Sequence, residues 1–386
     1  MAAVLLTMSV AACDAAPNAD EAPADPTGGR TSTDVAPVRV TTNIKGLRAV
    51  GIAEPFRIGA AGGSLTSVTA IAADGTELTG ALTDGAWQLS SRLEPGTDYV
   101  ATARAERTDG QLVTRVVKFH TQELTLQEQT YPSVAPLAGE TVGVGMPVIV
   151  SFDVPVTDRA TFEQHMTVSS TPAQPGSWHW LSDNLAHWRP RTYWQAGTDV
   201  SVDLDLNSIP AGKGVYGQES RTVGFHVGDA NVYQVNARTY QMKVFSNAKL
   251  LRTIPITTGK EGFTTRSGTK VIMEKFAEKR MNSETVGIAS NDPEAYDIDD
   301  VQWAMRLTHS GEFIHAAPWS VGSQGSANVS HGCTGMSTTN ADWLYAMSRR
   351  GDVVEYTGTD TWMTLDNGYG DWNVSFGDYR AGSALS

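Results

Sequence analysis

The sequence predicts a mainly β chain: two successive β-sandwiches, then a third β-rich domain in which one helix follows a lone cysteine. Three observations carry that expectation. Alternating apolar runs broken by turn residues recur through residues 38–228, spaced about every 8–12 residues as in antiparallel sandwiches. The helical period is sustained once, late in the chain, over residues 339–349. The length of 386 residues exceeds what one ordinary core serves and fits two or three domains.

Hydrophobic residues make up 40% and charged residues 18%, a globular composition. The formal net charge of −13 excludes a nucleic-acid binder, which needs basic side chains to neutralise phosphates. There are two cysteines, Cys13 and Cys333, far apart and without the paired spacing of a disulfide framework.

Residues 1–12 read as an export signal. An apolar core over 4–10 is too short to span a bilayer, which takes about 20 apolar residues. Small residues lead to Cys13, and Val10-Ala11-Ala12-Cys13 resembles the bacterial lipobox, in which the cysteine is lipidated. A plain signal peptide that happens to contain a cysteine is the alternative. Residues 13–37 are rich in Ala, Pro, Asp and Thr and read as a flexible linker behind a membrane anchor, because they hold too little apolar surface to offset their ordering entropy.

Domain 1 is expected over 38–122, with strands at 65–71, 86–89, 99–103 and 113–119. Asp74-Gly75 and Glu94-Pro95-Gly96 supply turns. Domain 2 spans 123–228, with strands at 148–152, 166–168, 178–180 and 200–204. Its Trp178, Trp180, Trp188 and Trp194 read as sandwich core rather than a sugar platform. His179 and His187 lack a thiol or carboxylate at ligand spacing, so no metal is expected. Domain 3 spans 229–357, with strands at 232–235, 241–245 and 250–256, a helix at 339–349 capped by Ser337-Thr338 and stopped at Gly351, and a closing strand at 352–356. The tail 358–386 carries Trp362, Trp372, Phe376 and Tyr379, too aromatic for water, and is expected to pack on domain 3.

The chemistry concentrates in two segments, Phe-Ile-His-Ala-Ala-Pro-Trp at 313–319 and Ser-His-Gly-Cys-Thr-Gly-Met-Ser at 330–337. A thiol attacks as thiolate, and a neighbouring imidazole can take its proton. His331 lies two residues before Cys333, and His315 lies upstream. Gly332 permits a tight turn, and backbone N–H groups around Cys333 suit an oxyanion. The helix that follows is expected to lower the thiol pKa. An inert core cysteine fits poorly with so polar a segment, and zinc lacks any recognisable ligand spacing.

The Ser330-His331-Gly332-Cys333 block with His315 upstream resembles the L,D-transpeptidase (YkuD) catalytic domain. The run 313–322 and Gly370-Asp371-Trp372-Asn373 are similar to actinobacterial members with immunoglobulin-like domains ahead of the enzyme. That resemblance makes the two sandwiches immunoglobulin-like and implies a β-rich catalytic fold with a capping lid. It implies Cys333 as nucleophile, His315 as general base, the Ala316 carbonyl as the group orienting the imidazole, and His331 as a second active-site histidine. Substrate contacts fall to Tyr296 in the lid and to Ser310, Gly311, Trp319, Gly332 and Gly335. Relatives commonly carry Asn where Gly335 stands and a second lid tyrosine near Val286, and both departures bear on donor binding.

The activity so implied is 3→3 cross-linking of peptidoglycan through a Cys333 thioester, without cofactor, by an exported and lipid-anchored enzyme at the outer face of the cytoplasmic membrane. Peptidoglycan stem peptides are the substrates and carbapenems the covalent inhibitors. L,D-carboxypeptidase action on the same acyl-enzyme is the alternative within the enzyme class. A non-catalytic wall-binding lipoprotein is the alternative outside it.

Overall fold

A computed structural model describes residues 37–53 and 55–386. The signal segment 1–12, Cys13 and the linker up to residue 36 lie outside the described residues.

The first sandwich faces two four-stranded sheets. One runs Arg39–Thr42, Arg57–Ala61, Ala86–Leu89, Gly80–Thr83, and the other Glu77–Leu78, Gly63–Ala72, Asp98–Arg107, Leu112–His120. Strand Asp98–Arg107 shows why the sequence folds so. Tyr99, Ala101, Ala103 and Ala105 alternate inward, and the small alanines let Phe56, Ile58 and Trp87 fill the space between sheets.

The second sandwich repeats the plan. One sheet is Pro132–Ala135, Val148–Phe152, Leu185–Pro190, Gly176–Ser182; the other is Thr141–Val142, Arg221–Val227, Asp199–Leu204, Met166–Thr171. All four tryptophans are buried in its core. Three of their indole N–H groups find partners: Trp178 Nε1 donates to the Met166 carbonyl at 3.0 Å, Trp180 Nε1 to Glu163 Oε2 at 2.8 Å and Trp194 Nε1 to the Met146 carbonyl at 2.8 Å.

The third domain stacks a five-stranded sheet (Lys249–Pro255, Gln241–Ser246, Asn231–Asn236, Val353–Thr357, Gly268–Val271) against a four-stranded one (Glu274–Asn282, Asp297–Arg306, Phe313–Ala316, Thr334–Met336). Phe313–Ala316 and Thr334–Met336 pair in parallel, with His315 opposite Gly335. Val235, Met242, Val244, Met305, Ile314 and Met336 fill the core between the sheets.

The helix spans Thr338–Met347 and is capped by Ser337, as the sequence predicts, but it stops short of Gly351. Its last carbonyls are taken by a side chain remote in sequence: Lys275 Nζ donates to Tyr345 O at 2.8 Å and Ser348 O at 2.6 Å. Gly351, at φ +95°, serves a different contact, because a Cβ there would lie 2.7 Å from the Gly143 nitrogen in the second sandwich.

The tail packs on both neighbours, the catalytic domain and the second sandwich. Met363 N donates to the Ser267 carbonyl at 2.8 Å and Thr269 N to Asn373 Oδ1 at 2.8 Å on the catalytic side, and the aromatic side chains reach the sandwich. Trp372, Phe376 and Tyr379 surround the Arg189 guanidinium at 4.7, 5.4 and 4.4 Å from their ring centres. Asp371 meets His187 Nδ1 at 3.0 Å and accepts from Tyr379 Oη at 2.9 Å, all in the buried interior. Trp362 is exposed. The second sandwich and the catalytic domain are thus joined by the tail, by the Gly143–Gly351 approach and by Val353, which belongs to the sandwich core.

Candidate active site

Cys333 and His315 come from the two parallel-paired segments, so the ladder that holds His315 opposite Gly335 fixes both functional groups. Gly332 sits at φ +118°, a backbone that side-chain-bearing residues rarely adopt, and turns the chain just before the sulfur. The thiol lies at the meeting of two spaces of about 650 and 680 Å³. His315, Trp319 and His331 line one beside Cys333. Val286, Gly311 and Arg306 line the other, and Tyr296 and Met281 border both.

His315 is held by a short bond from its Nδ1 to the Ala316 carbonyl, 2.7 Å. Nδ1 therefore carries the proton, and Nε2 keeps its lone pair for a substrate-side proton. Burial pushes its pKa below the ordinary imidazole value, so the ring is neutral near neutral pH. Trp319 lies nearly parallel to it at 5.8 Å between ring centres.

The thiol itself corrects the sequence reading. Rather than being held ionised, Cys333 is pushed up to about 12 by burial, which the Phe313 backbone amide only partly offsets. Its Sγ points to the Gly311 carbonyl at 3.6 Å. The helix does not help as expected. Strand Thr334–Met336 separates it from the sulfur, some four extended residues or roughly 13 Å, and the helix field fades within about one turn. The resting pair is therefore a neutral thiol and a neutral imidazole.

His331 Nε2 meets Glu294 Oε2 at 2.8 Å, and Glu294 also takes Lys260 Nζ at 2.5 Å. Those charge-assisted bonds hold the Glu294 carboxyl below its usual range. Glu294 lies two residues before Tyr296, whose ring sits 5.1 Å from that of His331, so the lid is tied to the nucleophile's loop. Burial pushes the Tyr296 hydroxyl up to about 12, which keeps it a neutral donor.

Ser310, Gly311 and Gly332 border a third space of about 970 Å³ beside the lid. Val286 sits against Gly311 so closely that a Cβ there would fall 2.4 Å from its Cγ1. Gly335 is the predicted site residue that does not reach the cavities. It is buried in the ladder, and its missing side chain would meet Ala317 Cβ at 2.8 Å and Thr257 Cγ2 at 3.1 Å. Sequence reading missed Met281, Glu294 and the Lys270–Glu312 pair, because none carries a motif and each is brought in by the fold.

The L,D-transpeptidase catalytic domain family matches residues 230–355, and the bacterial Ig domain family matches residues 47–210. The chain is 33% identical over 361 residues to L,D-transpeptidase 2 of Mycobacterium tuberculosis (strain CDC 1551 / Oshkosh), covering 92% of this chain and 87% of that protein. It belongs to the L,D-transpeptidase family.

L,D-transpeptidase 5 of Mycobacterium tuberculosis (strain ATCC 25618 / H37Rv) is 34% identical over 308 residues, 78% of this chain and 66% of that one. A solved LD transpeptidase in complex with imipenem is 37% identical, with a TM-score of 0.52 over 58% of this chain and 97% of its own. The L,D-transpeptidase from Mycobacterium smegmatis is 35% identical, with a TM-score of 0.50 over 59% and 99%. The immunoglobulin-like domain, the catalytic domain and the L,D-transpeptidase class of enzyme expected from sequence all stand in these matches.

Proposed function

We propose that this L,D-transpeptidase joins peptidoglycan stems by 3→3 cross-links through a thioester on Cys333. One observation carries the reading: a half-buried thiol sits where two separate cavities meet, and a neutral imidazole with a free Nε2 lines one of them. Two cavities at one sulfur suit a donor and an acceptor arriving in turn.

The donor is a tetrapeptide stem. As Sγ attacks the carbonyl of its L-centre, His315 Nε2 takes the thiol proton, so that charge forms only as the bond forms. His315 then gives that proton to the departing D-alanine, leaving an S-acyl enzyme. The side-chain amine of diaminopimelate on a second stem attacks the thioester, and His315 accepts the amine proton and returns it to Cys333, which leaves as the free thiol. Ala316 holds the imidazole in the tautomer these steps need, a role its main-chain oxygen fills whatever the side chain.

The same reading places the enzyme outside the cytoplasmic membrane, anchored by lipid on Cys13. Metabolic labelling with a tagged fatty acid, retained by wild type and lost in Cys13→Ala, tests that part separately. For the chemistry, purified protein is incubated with disaccharide-tetrapeptide and the products are weighed. A cross-linked dimer that disappears in Cys333→Ala is the expected result. A trimmed monomer alone makes the enzyme an L,D-carboxypeptidase, with water in place of the amine. No product from folded protein leaves a non-catalytic wall-binding lipoprotein. Imipenem is the matching covalent probe, since a solved relative is in complex with it.

A further inference from the structure

Behind the nucleophile lies a buried charge pair to which the acyl-transfer steps give no role. Lys270, on strand Gly268–Val271, is 0% exposed, and Glu312 is 4% exposed. The Lys270 ammonium contacts the Glu312 carboxylate and lies 3.8 Å from the centre of the Tyr356 ring. The Tyr356 hydroxyl bonds Thr334 Oγ1 at 2.7 Å, and Thr334 directly follows Cys333.

Glu312 reaches the sulfur from the other side. It stands between Gly311, whose carbonyl receives the thiol at 3.6 Å, and Phe313, whose backbone amide favours the thiolate. Its Oε1 accepts from the Arg266 backbone N–H at 3.1 Å and from Arg266 Nη1 at 2.9 Å. The neighbouring Thr265 hydroxyl donates to the Gly332 carbonyl at 2.8 Å. Both chain segments that carry the thiol's surroundings are therefore fastened to this one pair.

Such a pair is a poor choice for stability alone. Burial takes several kcal/mol of hydration from each ion, and well-packed apolar residues commonly do as well or better. Apolar neighbours are abundant here, since Val271 and Ile272 on the same segment are fully buried. Burial draws Lys270 down to about 8, and contact with Glu312 works against that fall, so the ammonium is charged near neutral pH.

We propose that Lys270 and Glu312 are positioning residues for Cys333. Glu312 locks the Gly311–Phe313 backbone against the sulfur, and Lys270 supplies the positive charge that favours the thiolate as it forms. The inference rests on Cys333 being the nucleophile. Other ionisable groups also face the thiol: His315 and His331 beside it, Tyr296 from the lid, Tyr356 from beneath, and Arg306 and His309 across the mouth. They stay unchanged in the variants below, so a difference between variants belongs to the pair.

The test is the rate of iodoacetamide alkylation at Cys333 in the full-length protein, located by peptide mass and followed from about pH 7 to 9, the range in which a thiolate fraction governs the rate. Lys270→Met is expected to react about tenfold more slowly at pH 7, where the ammonium is charged, one unit's worth of lost thiolate. Lys270→Arg, which keeps a positive charge beside Glu312 at every pH used, is expected to react within about twofold of wild type. A purely structural pair slows both variants alike or neither.

Lys270→Met at the wild-type rate overturns the proposal, and so does Lys270→Arg slowed as Lys270→Met is. Should Lys270→Met fail to fold by near-ultraviolet circular dichroism, a slowed but folded Lys270→Arg still overturns it. Alkylation reads the thiol whether or not it transfers acyl groups. Imipenem adduct formation on the same wild-type sample reports separately on the nucleophile.

Discussion

Gly335 offers the sharpest prediction about how packing serves the active site. It pairs with His315 across the parallel ladder, and its backbone is not left-handed, so conformation alone admits a side chain. Space does not. A Cβ would lie 2.8 Å from Ala317 Cβ and 3.1 Å from Thr257 Cγ2. The Ala317 methyl has no rotamer to escape into, so the strands themselves must part. Overpacking of this kind costs roughly 1–3 kcal/mol, or about 5- to 150-fold in the opening equilibrium. Gly335→Ala is therefore expected to speed amide exchange in Phe313–Ala316 and Thr334–Met336 by a factor in that range, read by hydrogen-exchange mass spectrometry on the full chain. Because the moved strand carries His315, imipenem acylation is expected to slow at least about tenfold; a misplacement of about 1 Å can cost 100-fold. Gly335→Asn is expected to behave no better, since position 335 faces packed protein rather than donor. Unchanged exchange together with undiminished acylation in Gly335→Ala refutes the reasoning.

Two further outcomes follow from the charges. Since burial lowers the His315 pKa, the neutral base survives below the ordinary imidazole value of about 6.5, and the acid limb of imipenem acylation is expected to be half-maximal below that pH; a midpoint at or above it contradicts the assignment. Burial raises the Asp371 carboxyl, but His187 and the Tyr379 hydroxyl outweigh it and leave the pKa lowered. Its stabilisation is then present above about pH 3.9 and lost as pH falls through the lower folded value. Asp371→Asn is expected to cost about 3 kcal/mol at pH 7, seen as faster exchange in Phe376–Arg380, with the difference from wild type vanishing in acid. A difference that persists in acid argues against the pairing.

The β architecture was legible because inward and outward residues alternate strictly, as in Asp98–Arg107 and Val148–Phe152. The nucleophile was legible because it stands in a short polar run, Ser330 to Ser337, and the base because an imidazole interrupts the otherwise apolar run from Phe313 to Trp319. What stayed hidden depended on partners distant in the chain. Lys275 ends the helix by capping its carbonyls, which no local stop signal announces. Of the aromatic tail Tyr379 is buried and Trp362 is exposed, and the cation that Trp372, Phe376 and Tyr379 surround is Arg189, far earlier in the chain. The raised thiol pKa follows from packing around the sulfur, and composition carries no record of packing. The joint between the second sandwich and the enzyme was equally hidden, since it is made by Val353 and the tail.

Acyl transfer at this site requires that Cys333 itself accept an acyl group. Intact-mass analysis after incubation with imipenem, with the adduct located by peptide mapping, asks this directly. One covalent adduct on the wild-type chain, confined to the peptide that holds Cys333 and absent from a folded Cys333→Ala variant, is the predicted result. A folded wild-type protein that stays at its own mass, or an adduct that persists without the thiol, contradicts it.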